Sequence, residues 1–251
     1  MAGAALPGRL TWQQTQVLAL VEETAQAKSI VLTAPAWPGY RAGQHVDVRL
    51  TADDGYQAQR SYSIASSPED SELMLTVERI QDGEVSPYLL DELRAGDQLE
   101  LRGPIGGYFA WDASLGGPLM LLGGGSGVVP LRSILRHHTA AAAAAPIPAR
   151  LLYSSRSWDE VIYRDELTRL ATEVGTDVRF TLTREWPEGW SGHRGRINRT
   201  LLETVCWAPS DHPLIYICGP NGFVEAAAGT LVQIGHDAGR IRTERFGPSG
   251  S

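Results

Sequence analysis

Leu119-Met120-Leu121-Leu122-Gly123-Gly124-Gly125-Ser126-Gly127-Val128-Val129-Pro130 is the stretch that decides the fold. An uninterrupted apolar run suits a strand buried on both faces of a parallel sheet. The glycines let the chain turn tightly and approach a ligand closely, and the segment after them opens a helix. A helix N-terminus offers amide hydrogens and a positive dipole to an anion such as a dinucleotide pyrophosphate. The spacing is G-x-G-x-x-P, not the dinucleotide G-x-G-x-x-G. On glycines alone, an ordinary strand–helix turn stays open.

Downstream, strand and helix alternate. Arg150-Leu151-Leu152-Tyr153, Asp177 to Leu182, Leu214 to Cys218 and Arg240 to Arg245 read as strands. Helices are expected at Val129–His138, Ile162–Val174, Asn198–Val205 and Gly222–Ile234. That pattern predicts a five-stranded parallel α/β sheet covered on both faces. Ala140 to Ala145, with Pro146 and Pro148, reads as a helix tail and loop without chemistry.

Upstream, the texture differs. Gln16–Val21, Ser29–Thr33, Gln44–Leu50, Glu72–Ile80 and Gln98–Arg102 are short candidate strands, several alternating polar with apolar. Trp37-Pro38-Gly39, Asp53-Asp54-Gly55 and Gln81-Asp82-Gly83 punctuate them. Short strands with regular turns predict a small antiparallel barrel or sandwich, interrupted by one helix near Ser86–Leu93 with Pro87 in its first turn. The expected domains are 1–114 and 115–251.

The whole chain narrows the function class. It has 251 residues, 43% hydrophobic and 20% charged, with net charge −7. A dedicated nucleic-acid binder would need a basic face, so none is expected. The two cysteines, Cys206 and Cys218, are too few for an iron–sulfur cluster or a zinc site, so no metal is expected. No apolar run reaches the length of a membrane span, and Met1–Leu10 lacks a signal-peptide core. A cytoplasmic protein with no membrane partner is the expectation.

Two further segments sharpen the ligand. A free ribose 2′-hydroxyl is usually held by a carboxylate after the second strand of a dinucleotide fold. No carboxylate lies between Asp112 and Asp159. The second strand ends in Ser154-Ser155-Arg156 and the third in Thr183-Arg184. Hydroxyls and guanidinium groups suit a 2′-phosphate, which favours NADP(H) over NAD(H); solvated surface arginines are the alternative. The other segment, Arg60-Ser61-Tyr62-Ser63, sets a cation, an aromatic ring and hydroxyls side by side, as an anionic flavin requires. In isolation it also fits an ordinary edge strand.

Arg60-Ser61-Tyr62-Ser63, the turn from Gly123 to Pro130, Cys218-Gly219-Pro220 and Glu244-Arg245-Phe246 occur in the order seen in ferredoxin–NADP+ reductase-like flavoproteins, which this chain resembles from about Gln14 to Phe246. The resemblance implies a flavin-binding antiparallel barrel followed by a pyridine-nucleotide domain. It implies that Arg60 pairs with a flavin phosphate, that Tyr62 packs on the isoalloxazine or ribityl chain, and that Ser63 hydrogen-bonds near flavin N5. Gly83-Glu84-Val85-Ser86 resembles the family's second phosphate-contacting stretch, with Ser86 placed to cap the barrel's helix. Ser61, Val77, Gly83, Val85 and Ser86 complete the implied flavin set. Gly124, Gly125, Ser126, Gly127, Ser155, Arg156, Arg184, Cys218 and Gly219 form the nucleotide set. Cys218 would lie near nicotinamide C4, and Glu244 and Phe246 would close over the flavin. Ser63, Cys218 and Glu244 are the implied catalytic residues.

FAD is the implied cofactor, FMN the lesser alternative, and NADP(H) the substrate. Many oxygenase reductases of this family carry a fused iron–sulfur domain. This chain lacks the cysteines, so a separate one-electron acceptor such as a ferredoxin, flavodoxin or oxygenase is expected. A reductase of free flavin and an inactive nucleotide-binding electron-transfer subunit are the rival readings.

Overall fold

In the N-terminal half every strand that pairs runs antiparallel. A computed structural model describes residues 10–34, 37–141, 147–172 and 176–246. The alanines at 142–145, the end of the expected helix at 173–174 and the tail 248–251 lie outside the described residues, as does nearly all of Met1–Leu10. The strands are β1 (Gln13–Thr24), β2 (Ala27–Thr33), β3 (His45–Thr51), β4 (Gln57–Ser63), β5 (Leu73–Glu78) and β6 (Gln98–Ile105). Their order is β4-β3-β6-β1-β2-β5. An antiparallel bridge from Ile64, just past β4, to Leu75 of β5 joins the two ends of this sheet into a barrel. Val46, Val48, Leu75, Val77, Leu99 and Leu101 alternate inward and fill it. The short helix α1 (Ser86–Asp91) adds Leu89 and Leu90 to that core.

The second half is the parallel sheet. Its elements are β7 (Leu119–Gly124), α2 (Val128–Ala141), β8 (Ala149–Ser155), α3 (Arg164–Leu170), β9 (Thr176–Leu182), β10 (His193–Arg194), α4 (Arg199–Val205), β11 (Leu214–Pro220), α5 (Asn221–Gln233) and β12 (Ile241–Phe246). The order is β10-β9-β8-β7-β11-β12. Five strands match the expectation; β10, two residues paired to Thr181 and Leu182, is a sixth that no hydrophobic period would reveal. Ile215, Tyr216 and Ile217 are fully buried, because helices cover both faces. Each such side chain contributes about 1.5–3 kcal/mol over an exposed one. Helix α4 starts at Asn198, whose side chain accepts from the Leu201 amide at 2.9 Å, a normal N-cap.

Helix α2 joins the halves. Its apolar face lies on the sheet, and its other face meets the barrel. Arg132 is only 6% exposed. It donates to Glu166 Oε2 at 2.7 Å and to the Ala65 carbonyl at 2.8 Å, and its guanidinium lies 4.5 Å from the Tyr163 ring centroid. A buried charge persists only when paired in this way. Ser133 Oγ donates to the Ser66 carbonyl at 2.6 Å, and Arg136 pairs with Asp70 at 2.7 Å. Ala27, Ala42 and Ala65 of the barrel belong to the same apolar cluster as α2 and β7. The segment 106–118, between β6 and β7, is held by β11 and β12: Tyr216 and Arg242 both donate to the Ala110 carbonyl, at 3.0 and 2.7 Å. Among the described residues no helix is long and apolar enough to cross a membrane.

Candidate active site at the domain junction

In the parallel sheet the strand order reverses at β7, between β8 and β11. Ligands of such sheets bind beyond the carboxyl ends of the strands at that point. Gly123–Gly127 and Cys218-Gly219 both sit there. Cys218 is paired with Gly123 on one side and with Glu244 on the other. Gly125 takes φ +55°, a left-handed conformation that glycine adopts without strain. Gly127 is pressed against β11: a Cβ there would stand 2.1 Å from the Cys218 carbonyl oxygen. At Gly127 the turn therefore packs backbone to backbone on β11 and admits no side chain. Ser126 is half-buried beside it, and the Cβ position of Gly125 lies 3.9 Å from Glu78 Oε2, at the end of barrel strand β5. The cradle faces the barrel.

From the barrel side, β4 and β3 supply the partners. Ser63 stands directly opposite His45, which puts their Cβ atoms about 5 Å apart. His45 Nδ1 is 3.5 Å from Glu244 Oε1, and Glu244 is the neighbour of Cys218. Ser63, His45, Glu244 and Cys218 thus converge where the two domains meet. Glu244 Oε2 is buried without a hydrogen-bond partner, and such a group ordinarily finds one. Cys218 is 2% exposed; burial, helped by the Glu244 carboxylate, pushes its thiol well above the usual range. Cys218 is accordingly a small neutral side chain here, not a thiolate nucleophile. The hydroxyl, imidazole and carboxylate can hold or move a proton; the thiol can only shape the space.

His45 was not singled out in the sequence. Its strand was legible, but its partners arise from cross-strand register and from the C-terminal strand, neither visible in local pattern.

The other flavin-set residues separate by face. Arg60 and Tyr62 lie on one face of β4, with Arg60 half exposed and 3.5 Å from Glu84 Oε2. Arg60 and the Gly83–Ser86 stretch are thus brought together. Tyr62 packs on the barrel core, and burial, opposed by the Arg60 charge, pushes its hydroxyl up to about 12. Ser61 points the other way and donates to Asp47 Oδ1 at 2.7 Å, beside the Arg102–Asp47 ion pair. Gly83 lies at the turn before α1.

Ser86 departs from the expectation. The cap position of α1 is Val85, with no side-chain cap, and Ser86 is the first helical residue. Its hydroxyl accepts from the Ile80 amide at 3.0 Å, so it closes the turn that precedes the helix. Val77 and Val85 are 0% and 1% exposed within the barrel core. Their side chains cannot meet a ligand; only their main-chain groups can.

At the far side of the cradle, Ser155 is buried and Arg156 and Arg184 are exposed. The Arg184 amide donates to the Arg156 carbonyl at 2.9 Å, which sets the two side by side past β8 and β9. Arg156 Nη1 is 3.6 Å from Glu160 Oε2. Gly219 is buried at the end of β11, and Phe246 is half-buried at the end of β12, in register with Pro220.

These residues fit a flavin and a pyridine nucleotide: an accessible cation beside a turn, an orphaned carboxylate at the junction, and a glycine turn packed directly on β11. The comparisons agree. A family model described as "Oxidoreductase FAD-binding domain" matches residues 22–110, and one described as "Oxidoreductase NAD-binding domain" matches residues 121–229. The chain is 36% identical over 219 residues to "Ferredoxin--NADP reductase B" of Sorangium cellulosum, covering 82% of this chain and 85% of that one. It is 30% identical over 236 residues to "Glycine betaine monooxygenase reductase subunit" of Pseudomonas aeruginosa, covering 92% of this chain. It spans 63% of that relative's length. The flavohem-like FAD/NAD binding domain of nitric oxide dioxygenase from Vibrio cholerae superposes with a TM-score of 0.83 at 26% identity, covering 94% of this chain and 99% of that one.

Proposed function

The chain belongs to the ferredoxin–NADP reductase family of FAD- and NAD-binding oxidoreductases, and we propose that it is an NADPH-dependent FAD reductase serving a separate redox partner. The observation that carries the reading is the convergence of Ser63, His45, Glu244 and Cys218 beneath the glycine cradle. Bound together, the two cofactors would supply hydride transfer from nicotinamide C4 to flavin N5.

The protein's share is positioning and proton control. The Gly123–Gly127 backbone and the start of α2 would hold the pyrophosphate. Arg60 would neutralise a flavin phosphate through a charge-assisted hydrogen bond. Cys218, neutral and small, leaves room for a flat ring at the sheet edge. Ser63 would donate or accept at the flavin edge, with His45 and Glu244 behind it. Two rings held within about 3–3.5 Å react far faster than free ones, and the interdomain contacts of α2 keep that geometry.

Arg156 and Arg184, side by side at the corner where a ribose-binding carboxylate would otherwise stand, support NADPH over NADH. The named relatives include the reductase subunit of a monooxygenase, which supports a protein acceptor for this chain. The test is an anaerobic titration of the purified, flavin-loaded protein with NADPH and then NADH. Loss of the visible flavin band at one equivalent of NADPH, with NADH slower at equal concentration, is the expected result. A band unchanged by either nucleotide would overturn the reading, and faster bleaching by NADH would overturn the NADPH assignment.

A further inference from the structure

Arg132 lies outside the glycine turn and the converging junction residues, buried in the seam between the two domains. Packing alone does not call for a charge there, since an apolar side chain of similar volume often fills such a seam as well or better. What the guanidinium adds is direction, because its planar fork holds several acceptors in one fixed arrangement. On its own side it donates through Nε to Glu166 Oε2 of α3 at 2.7 Å and lies over the Tyr163 ring. Across the seam its Nη1 donates to the Ala65 carbonyl at 2.8 Å and stands 3.4 Å from Met74 Sδ. Ser133, the next residue of α2, donates to the next carbonyl of the barrel, that of Ser66, at 2.6 Å. Two successive residues of one domain thus grip two successive carbonyls of the other.

The gripped stretch is itself held by the barrel. The Ala65 amide donates to the Met74 carbonyl at 2.7 Å, and the Met74 amide donates to Ser66 Oγ at 2.9 Å. Ala65 lies two residues past Ser63, at most about 7 Å of chain. At the other end, Arg132 lies about one helical turn, roughly 6 Å, past Val128. Gly127, just before Val128, is pressed on the Cys218 carbonyl. The path from Ser63 to Cys218 therefore runs through short, hydrogen-bonded segments joined by one guanidinium and one hydroxyl. A shift at this seam moves Ser63 relative to Cys218.

We propose that Arg132, aided by Ser133, is a positioning residue for hydride transfer: it sets the barrel against the nucleotide domain so that Ser63 and Cys218 present the two rings at reacting distance. The assignment rests on the NADPH-to-flavin reading given above. Arg132 reaches the reacting centre only through Ala65 and α2. Glu166 keeps a second partner, Arg136 at 3.3 Å, so removing the Arg132 charge does not orphan its carboxylate. Arg132→Met should therefore fold and load flavin.

The experiment compares the full chain, flavin-loaded, as wild type, Arg132→Met, Arg132→Lys and Ser133→Ala. Three quantities are read: NADP+ affinity, the single-turnover rate of flavin reduction at saturating NADPH, and a spectrum. The spectrum is the long-wavelength charge-transfer absorbance of the dithionite-reduced protein with NADP+, which reports stacked rings without turnover. Arg132→Met should keep its flavin, bind NADP+ as wild type does and lose most of that absorbance. It should reduce flavin about 10- to 100-fold more slowly, the order that a misplacement of about 1 Å costs. Arg132→Lys keeps the charge but not the fork, and should lie between wild type and Arg132→Met. Ser133→Ala should show a smaller loss of the same kind. Wild-type rate and absorbance in Arg132→Met would overturn the proposal. So would a fall in flavin content and NADP+ affinity that matches the fall in rate, the mark of support for the fold alone. If Arg132→Met fails to fold, unchanged absorbance in both other variants would overturn it. A wild type that NADPH does not reduce would overturn the underlying reading as well.

Discussion

Gly127→Ala isolates the contact on which the nucleotide cradle depends. A Cβ at this position would stand 2.1 Å from the Cys218 carbonyl oxygen, 2.4 Å from its carbon and 2.7 Å from the Gly219 nitrogen. All three are main-chain atoms of β11, which is hydrogen-bonded to β7 on one side and β12 on the other. No rotamer change can relieve the clash; either the turn lifts or the strand shifts. Overpacking of this kind costs about 1–3 kcal/mol. For a chain of this size each kcal/mol lowers the melting temperature by about 2–4 °C, so a fall of several degrees is expected. Gly229→Ala is the control. It lies in the interior of α5, nothing stands within 4 Å of its added Cβ, and alanine should add up to about 1 kcal/mol of helix propensity. Thermal unfolding of the two variants beside wild type is the assay, with NADP+ affinity of the folded protein as a second readout. The variants should move in opposite directions, and only Gly127→Ala should lose nucleotide affinity. A Gly127→Ala protein as stable and as tight-binding as wild type would refute the argument that the cradle is packed directly on Cys218.

Three other outcomes are expected. Arg60→Ala should purify with less flavin, measured by absorbance per chain, because the phosphate loses its charge-assisted partner. Neutralising Arg156 and Arg184 together should raise the KM for NADPH and leave that for NADH nearly unchanged, measured by steady-state kinetics. Asp47 supplies a pH dependence: burial would raise its pKa, but hydrogen bonds from Ser61 and Arg102 outweigh that and hold it below the ordinary 3.8. Its contribution to stability is therefore present above 3.8 and is lost as pH falls through the lower folded value. The stability gap between wild type and Asp47→Asn, read by denaturant unfolding, should be full at neutral pH and shrink in acid below that point.

The parallel sheet was readable because its strands are buried on both faces. Leu119–Leu122 and Leu214–Cys218 are apolar without interruption, and helices of the right period follow each. The barrel was readable where strands alternate, as at Gln44–Leu50. Strand β4 was not found by pattern, although it carries Arg60, Tyr62 and Ser63. Gln57-Ala58-Gln59-Arg60-Ser61-Tyr62-Ser63 is mostly polar, since it lies at the sheet's edge and its faces serve ions, hydroxyls and the cleft rather than a core. Ser86 misled because a serine before an apolar run imitates a cap, while the chain enters α1 one residue earlier. Val77 and Val85 belonged to motifs whose main chain, not side chain, can face a ligand. His45 became visible only when register placed it opposite Ser63 and the last strand brought Glu244 beside it.

On the proposed function, the nicotinamide meets the flavin where Ser63 and Cys218 approach from opposite domains. Stopped-flow mixing of flavin-loaded wild type, Ser63→Ala and Cys218→Ala with saturating NADPH, under anaerobic conditions, tests it most directly. Both variants should keep their flavin, still bind NADP+, and reduce the flavin markedly more slowly in a single turnover. Wild-type rates in both variants would place the hydride path elsewhere and contradict it.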